Sequence, residues 1–137
     1  DLAKPGLKLV LAAPEVPVGG YALQMLDKLS ADPEFGADFK SQVLKNLVSQ
    51  ETNVRQVVSK IQLGEGDAGV VYSTDVSPDA AAEVQLIDVP EQFNVIATYP
   101  IAVVKASTDA ALAQRYVDFI LSDEGQAILK KYNFMQP

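Results

Sequence analysis

The chain has no cysteine, no histidine and no tryptophan among its 137 residues. Without thiolate or imidazole there can be no zinc site built from those ligands, no cysteine nucleophile, no histidine-based triad and no disulfide in this stretch. Absence of cysteine fits an extracytoplasmic protein. No apolar run approaches the ~20 residues that span a bilayer, and no positively charged start leads into an apolar core as in a signal peptide. The first residue is Asp1 rather than methionine, which predicts a trimmed chain whose targeting information has been removed. Basic residues are also scarce: 11 Lys and Arg against 18 Asp and Glu leave a net charge of -7. Nucleic-acid partners require clustered Lys and Arg, so the charge balance argues against them. A small anion stays open, because backbone N–H and hydroxyl groups can hold a buried oxyanion without a formal positive charge.

Apolar residues make up 48% of the chain, enough for one ordinary domain with its own core. Leu7 to Ala12 reads as a strand, Pro14 to Gly20 as a rigid loop, and a helix starts near Gly19 or Gly20. Asp32-Pro33 predicts the cap and first residue of a short helix over Glu34 to Phe39, with a short strand over Val43 to Val48. Thr52 and Asn53 are good N-cap residues, and Val54, Val57, Val58 and Ile61 follow at helical spacing. Ala68 to Tyr72 then reads as a short buried strand of a parallel sheet. Val84 to Val89 and Ile96 to Val104 predict two further strands, the second carrying Pro100, which suits an edge or crossover position. Helices are expected over Asp109 to Leu121 and Asp123 to Tyr132, with Ser122 as the cap between them.

The stretch from Glu51 to Tyr72 carries most of the chemical information. Its helix start is free of acidic side chains, and in open parallel sheets ligands sit beyond the carboxyl ends of strands, where helix N-termini also point unpaired N–H groups. Tyr72 and the amides near Asn53 and Val54 are therefore candidates for one anion pocket. Asn53 also has a plain reading as an N-cap, Tyr72 as a core or rim tyrosine, and Pro17-Val18-Gly19-Gly20 as a simple connection. Gly64-Glu65-Gly66-Asp67-Ala68-Gly69 matches the letters of a dinucleotide loop, but it closes a helix and opens a strand, the reverse of the required context. It reads as a turn. Glu51, Glu65, Asp67 and Asp75 read as solvated carboxylates rather than an acid/base pair.

Four segments together, Val16-Pro17-Val18-Gly19-Gly20-Tyr21-Ala22, Thr52-Asn53-Val54-Arg55-Gln56-Val57-Val58, Gly66-Asp67-Ala68-Gly69-Val70-Val71-Tyr72 and Tyr99-Pro100-Ile101-Ala102-Val103, resemble the molybdate/tungstate-binding proteins of ABC transporters. The closing Gly125 to Phe134 is similar to that family's C-terminal end. The resemblance implies one lobe of a type II periplasmic-binding-protein-like α/β fold, with a mainly parallel sheet flanked by helices. Residues 1–104 would form the second, ligand-binding lobe with a return crossover strand, and residues 105–137 the C-terminal helices that pack on a first lobe absent here.

By the same resemblance the amides of Val18 and Val54 and the hydroxyl of Tyr72 meet the oxyanion, with Gly19 and Asn53 in support. Gly20 replaces a commonly larger side chain and loosens the rim. The implied role is capture of molybdate or tungstate outside the cytoplasm, in the periplasm or at the outer face of the membrane, for delivery to an ABC transporter permease. Cofactor, bare metal cation and enzymatic activity are not expected. With half a site, the fragment should bind weakly alone. Leu112, Phe119 and Ile128 would lie uncovered, which predicts a dimer or exchange of the C-terminal helices. An oxyanion-sensing effector domain of a transcription regulator is the alternative, since fold alone does not set function. An enzyme acting on a phosphorylated small molecule is the least supported, for want of a nucleophile–base pair.

Overall fold

Four consecutive apolar residues, Leu9 to Ala12, form strand β1 (Leu9–Ala12), and all four are buried. In the computed structural model, which describes residues 1–136, β1 is the middle strand of a three-stranded parallel sheet. It is flanked by β2 (Leu47–Glu51) and β3 (Ala68–Gly69) in the order β2-β1-β3. The pairing of β1 with β2 runs from Leu9↔Leu47 to Ala12↔Glu51 and skips Val48, which is exposed. β3 pairs through Leu9↔Ala68 and Val10↔Gly69.

The two crossovers step across this sheet in opposite directions, so right-handed connections put their helices on opposite faces. Side-chain alternation along β1 then supplies one apolar face to each helix. Leu9 and Leu11 face α1 (Pro17–Ala31), whose Ala22, Met25, Leu26 and Leu29 recur at helical spacing in the same cluster, together with Val43 and Phe93. Val10 and Ala12 face α3 (Val54–Gln62) through Val57, with Ile61 packed against them. Between these helices the chain forms α2 (Phe39–Leu44), and beyond β3 lies the short α4 (Pro78–Ala81), capped by the Ser77 hydroxyl.

The chain divides into two compact units, Asp1–Val95 and the segment from Ile96 onward. The second unit is built on α5 (Ala110–Leu121) and α6 (Asp123–Lys130). The Asp109 carboxylate caps α5 by accepting from Leu112 N–H at 2.9 Å. Ser122 is the expected cap between the two helices: its hydroxyl accepts from Gly125 N–H at 3.2 Å and donates to the Phe119 carbonyl at 2.7 Å. No residue of α5 is buried, and Leu112, Tyr116, Phe119 and Ile128 are exposed.

Several sequence expectations are corrected. The loop expected over Pro17 to Gly20 is the first turn of α1, with proline at the position whose missing N–H costs nothing. Asp32-Pro33 does not open a helix. The Asp32 carboxylate accepts from Glu34 N–H at 2.9 Å and its carbonyl from Phe35 and Gly36, closing a turn that Gly36 exits at φ 82°. Val43, expected in a strand, enters the core from α2, so its apolar character reflects helix packing. β3 ends at Gly69, because Val70, Val71 and Tyr72 are held by packing in the two clusters rather than by ladder pairing.

The segments Val84 to Val89 and Ile96 to Val104, the latter expected as a return crossover strand, form no strand among the described residues. An alternating apolar pattern specifies a face to bury, but a strand also needs a partner edge for its N–H and C=O groups, and Pro100 removes one donor. Ile87, Ile96, Tyr99 and Val104 are accordingly exposed.

Adjacent glycines in α1 have opposite tolerances. A Cβ on Gly19 would stand 2.5 Å from the Ala12 carbonyl oxygen, whereas on Gly20 its nearest neighbour is the Pro14 carbonyl oxygen at 3.6 Å. Gly20→Ala is therefore expected to stabilise the chain by about 0.5–1 kcal/mol through helix propensity. Gly19→Ala should destabilise it by pushing α1 off the end of β1; urea denaturation of both variants checks the pair.

Candidate functional site

Because all three strands are parallel, their carboxyl ends lie along one edge of the sheet, and each runs on to one of the residues singled out from the sequence. β1 leads into the first turn of α1 with Val18, β2 passes through Thr52 and Asn53 to Val54 at the start of α3, and β3 continues to Tyr72. Tyr72 immediately precedes a 3₁₀ turn, Ser73–Asp75. The three are brought together: Val18 is buried with Val10, Ala12 and Val57, and Val54 and Tyr72 pack against that same cluster. These three residues lie at the end of the central strand, where the direction of winding reverses, a position at which open α/β sheets commonly bind ligands.

The first N–H groups of a helix have no partner within it. Among the described residues neither Val18 nor Val54 donates its N–H to a backbone carbonyl. In α1 the Val16 carbonyl instead accepts from Gly19 at 2.9 Å and Gly20 at 3.1 Å. At α3 the Asn53 side chain accepts from Gln56 N–H at 3.1 Å, which makes Asn53 the N-cap. Thr52 Oγ1 donates to Gln56 Oε1 at 3.1 Å and steadies the same turn. Neither helix has an acidic residue in its first turn, so the positive ends of both dipoles are unopposed there. The Tyr72 ring meets Tyr21 edge to face, with centroids 6.2 Å apart. Gly19 lets α1 settle directly on the Ala12 and Ala13 carbonyls.

The glycine-rich stretch after α3 is a helix-to-strand turn. Gly64 adopts φ 72°, the Lys60 carbonyl accepts from Glu65 at 2.9 Å, and Asp67 Oδ2 accepts from Lys8 N–H at 2.8 Å. A cavity of about 380 Å³ lined by Ala3, Pro5, Gln42, Lys45 and Asn46 lies where the chain enters β1 and β2, at the other end of the strands. Its one buried side chain, Asn46, is committed to the Leu2 and Lys4 carbonyls at 2.8 and 2.7 Å.

Two of the four carboxylates read as solvated are not. Glu51 is 9% exposed, and its Oε1 lies 2.8 Å from Lys60 Nζ and accepts from the Ser49 hydroxyl. The hydrogen bond from Lys60, then that from Ser49, holds the Glu51 carboxyl below its ordinary range, while Glu51 raises Lys60. The sequence signal for this pair is faint: Ser49 and Glu51 share a strand face at spacing two, opposite a helix carrying one lysine. Asp75, in the turn after Tyr72, buries Oδ2 without a hydrogen-bond partner among the described residues. Burial raises its carboxyl, and the Tyr72 backbone and the Arg55 charge only partly offset this.

The sequence profile of the bacterial extracellular solute-binding proteins matches residues 1–135, and the chain belongs to that family. It is 32% identical over all 137 residues to the molybdate-binding protein ModA of Mycobacterium bovis, 48% of whose length it covers. The ModA of Mycobacterium tuberculosis matches equally. A Bacillus subtilis protein, YvgL, assigned as an ABC transporter substrate-binding lipoprotein, is 31% identical over 129 residues, or 93% of this chain and 45% of that one. A solved substrate-binding domain from Clostridium difficile, assigned to a molybdenum ABC transporter, superposes with a TM-score of 0.78 at 26% identity, covering all of this chain and 56% of that one.

The chain thus spans about half the length of the curated relatives it matches. The expected resemblance and the α/β lobe with a parallel sheet flanked by helices both stand with these matches.

The buried Asp75 oxygen has a consequence for stability. An acid whose folded pKa is raised weakens the fold above that pKa and carries no penalty below its unfolded value near 3.8. Asp75→Asn is therefore expected to raise the melting temperature at neutral pH. The gain should vanish near about pH 3, where Asp75 itself is protonated; thermal melts of both proteins across pH check this.

Proposed function

We propose that the chain is the ligand-binding second lobe, with its return segment and C-terminal helices, of a protein that captures a tetrahedral oxyanion, molybdate or tungstate, outside the cytoplasm and presents it to an ABC transporter permease. The observation that carries this reading is the gathering of Val18 and Val54, first-turn residues of α1 and α3, and Tyr72 on one cluster at the carboxyl edge of the sheet. The names of the relatives supply the oxyanion. Two helix N-termini free of acid and one phenol are neutral donors, and they select an anion by size and by the placement of hydrogen bonds.

In this mechanism the donors replace the hydration shell of the anion. The Val54 amide is aimed by the Asn53 cap, the Val18 amide by the close seat of Gly19 on β1, and the Tyr72 hydroxyl by the Tyr21 ring. The remaining donors come from the other half of the relatives' length, and closure of two lobes around the anion gives the loaded form its distinct shape. Residues 1–137 alone bind weakly for that reason.

Calorimetric titration of the protein at its full natural length with molybdate, tungstate, sulfate and phosphate tests the reading. Tight binding of the two larger anions is expected. Tyr72→Phe should weaken it by roughly 10- to 100-fold, the worth of a hydrogen bond to a charged group. No heat from any of the four anions sinks the assignment.

The apolar side chains Leu112, Phe119 and Ile128 left exposed on the second unit lead to a separate expectation. Burying each contributes about 1.5–3 kcal/mol, so the 137-residue chain by itself should self-associate or exchange its C-terminal helices. A sedimentation profile that stays monomeric at high concentration would refute this.

A further inference from the structure

The Glu51 carboxylate stands at a place where an anion-binding protein should avoid one. It ends β2, two residues before the Asn53 cap and three before Val54. Three Cα steps of ~3.8 Å limit the separation from Val54 to about 11 Å along the chain. That is comparable with the ~8 Å Debye length at physiological salt and well inside the ~20 Å length at about 20 mM. A bare charge there would repel the ligand and oppose the positive end of α3.

The charge is not bare. Lys60, nearly two turns into α3, sends its long side chain back toward the helix start, and its Nζ lies 2.8 Å from Glu51 Oε1 and 2.8 Å from Ser49 Oγ. The Ser49 hydroxyl donates to the same Glu51 oxygen, closing a three-membered ring of hydrogen bonds between β2 and α3. Glu51 is almost entirely covered, and Lys60 is largely covered at 31% side-chain exposure. Glu65, in the turn that ends α3, also favours the charged form of Lys60. The ring spans the two elements whose junction contains Thr52, Asn53 and Val54.

We propose that Lys60 is a charge mask for the anion site, cancelling the Glu51 carboxylate that the anion would otherwise meet. This rests on the oxyanion reading above. A purely structural salt bridge would make loss of either partner harmful to the fold and indifferent to salt in the binding assay. A mask makes the two partners unequal: losing the lysine exposes a charge, whereas losing the charge on the glutamate exposes none.

The test is molybdate titration of the protein at its full natural length, at about 20 mM and about 500 mM salt, with a thermal melt of every variant. Lys60→Met is expected to weaken binding roughly tenfold or more at low salt, with most of the loss recovered at high salt. The double variant Glu51→Gln, Lys60→Met should return to within about threefold of wild type, and Lys60→Arg should bind like wild type.

If Lys60→Met does not fold, Glu51→Gln decides alone. It retains an acceptor for Ser49 and Lys60, and it should bind molybdate as tightly as wild type or more tightly, most visibly at low salt. Wild-type affinity in Lys60→Met, a double variant as weak as the single, or weakened binding in Glu51→Gln overturns the pair's role. Absence of binding by the wild type instead removes the oxyanion reading and the masking role with it.

Discussion

Burial of β1 on both faces is the constraint from which the rest of the first unit follows. Leu9, Val10, Leu11 and Ala12 are each no more than 3% exposed, so this strand can exist only with a helix on each side and a neighbouring strand at each edge. Both requirements are met at once when β2 and β3 lie on opposite edges, because the reversal of winding that this order imposes also moves the second helix to the other face. Such a reversal is also where open α/β sheets receive ligands, at the carboxyl ends of their strands. Core and proposed binding edge thus follow from one geometry, and Val18, at the start of the helix that covers one face, has its side chain in the cluster on the other.

How much of this was legible depended on whether a residue's role is set locally or by a distant partner. The Asn53 cap, the Ser122 cap, the Gly64 turn and the Val54 to Ile61 stripe are fixed by neighbours within four residues, and the sequence pattern placed them correctly. Val54 and Tyr72 could be assigned to one edge because parallel topology does the converging, and the α/β pattern already implied parallel strands, whereas Val18 entered through the family resemblance. The misread segments are those whose apolar residues admit two explanations. Val43 is buried from a helix, Val70 and Val71 are buried without a ladder, and Ile96 to Val104 carries strand-like residues with no partner edge. The Glu51–Lys60 pair was hidden for a related reason: a lysine nine residues from a glutamate has no local signature, and only the folding of α3 back over β2 joins them.

The charge balance is easier to understand once the site is separated from the surface. A net charge of -7 would be a poor field for drawing in an anion if affinity were set at long range. Beyond a Debye length, however, the surface carboxylates are screened, whereas donors at contact are not. What matters is then the short list of charges within that radius. The first turns of α1 and α3 hold no acid, the Glu51 carboxylate is matched by Lys60, the Asp75 carboxyl is disfavoured in its charged form by burial, and the exposed Glu15 two residues before α1 is balanced in number by Arg55 in the first turn of α3. An acidic protein can therefore present a locally neutral, donor-rich edge. Such an edge discriminates among anions by their size and by the number of hydrogen bonds they can accept, where a cluster of lysines would reward charge alone.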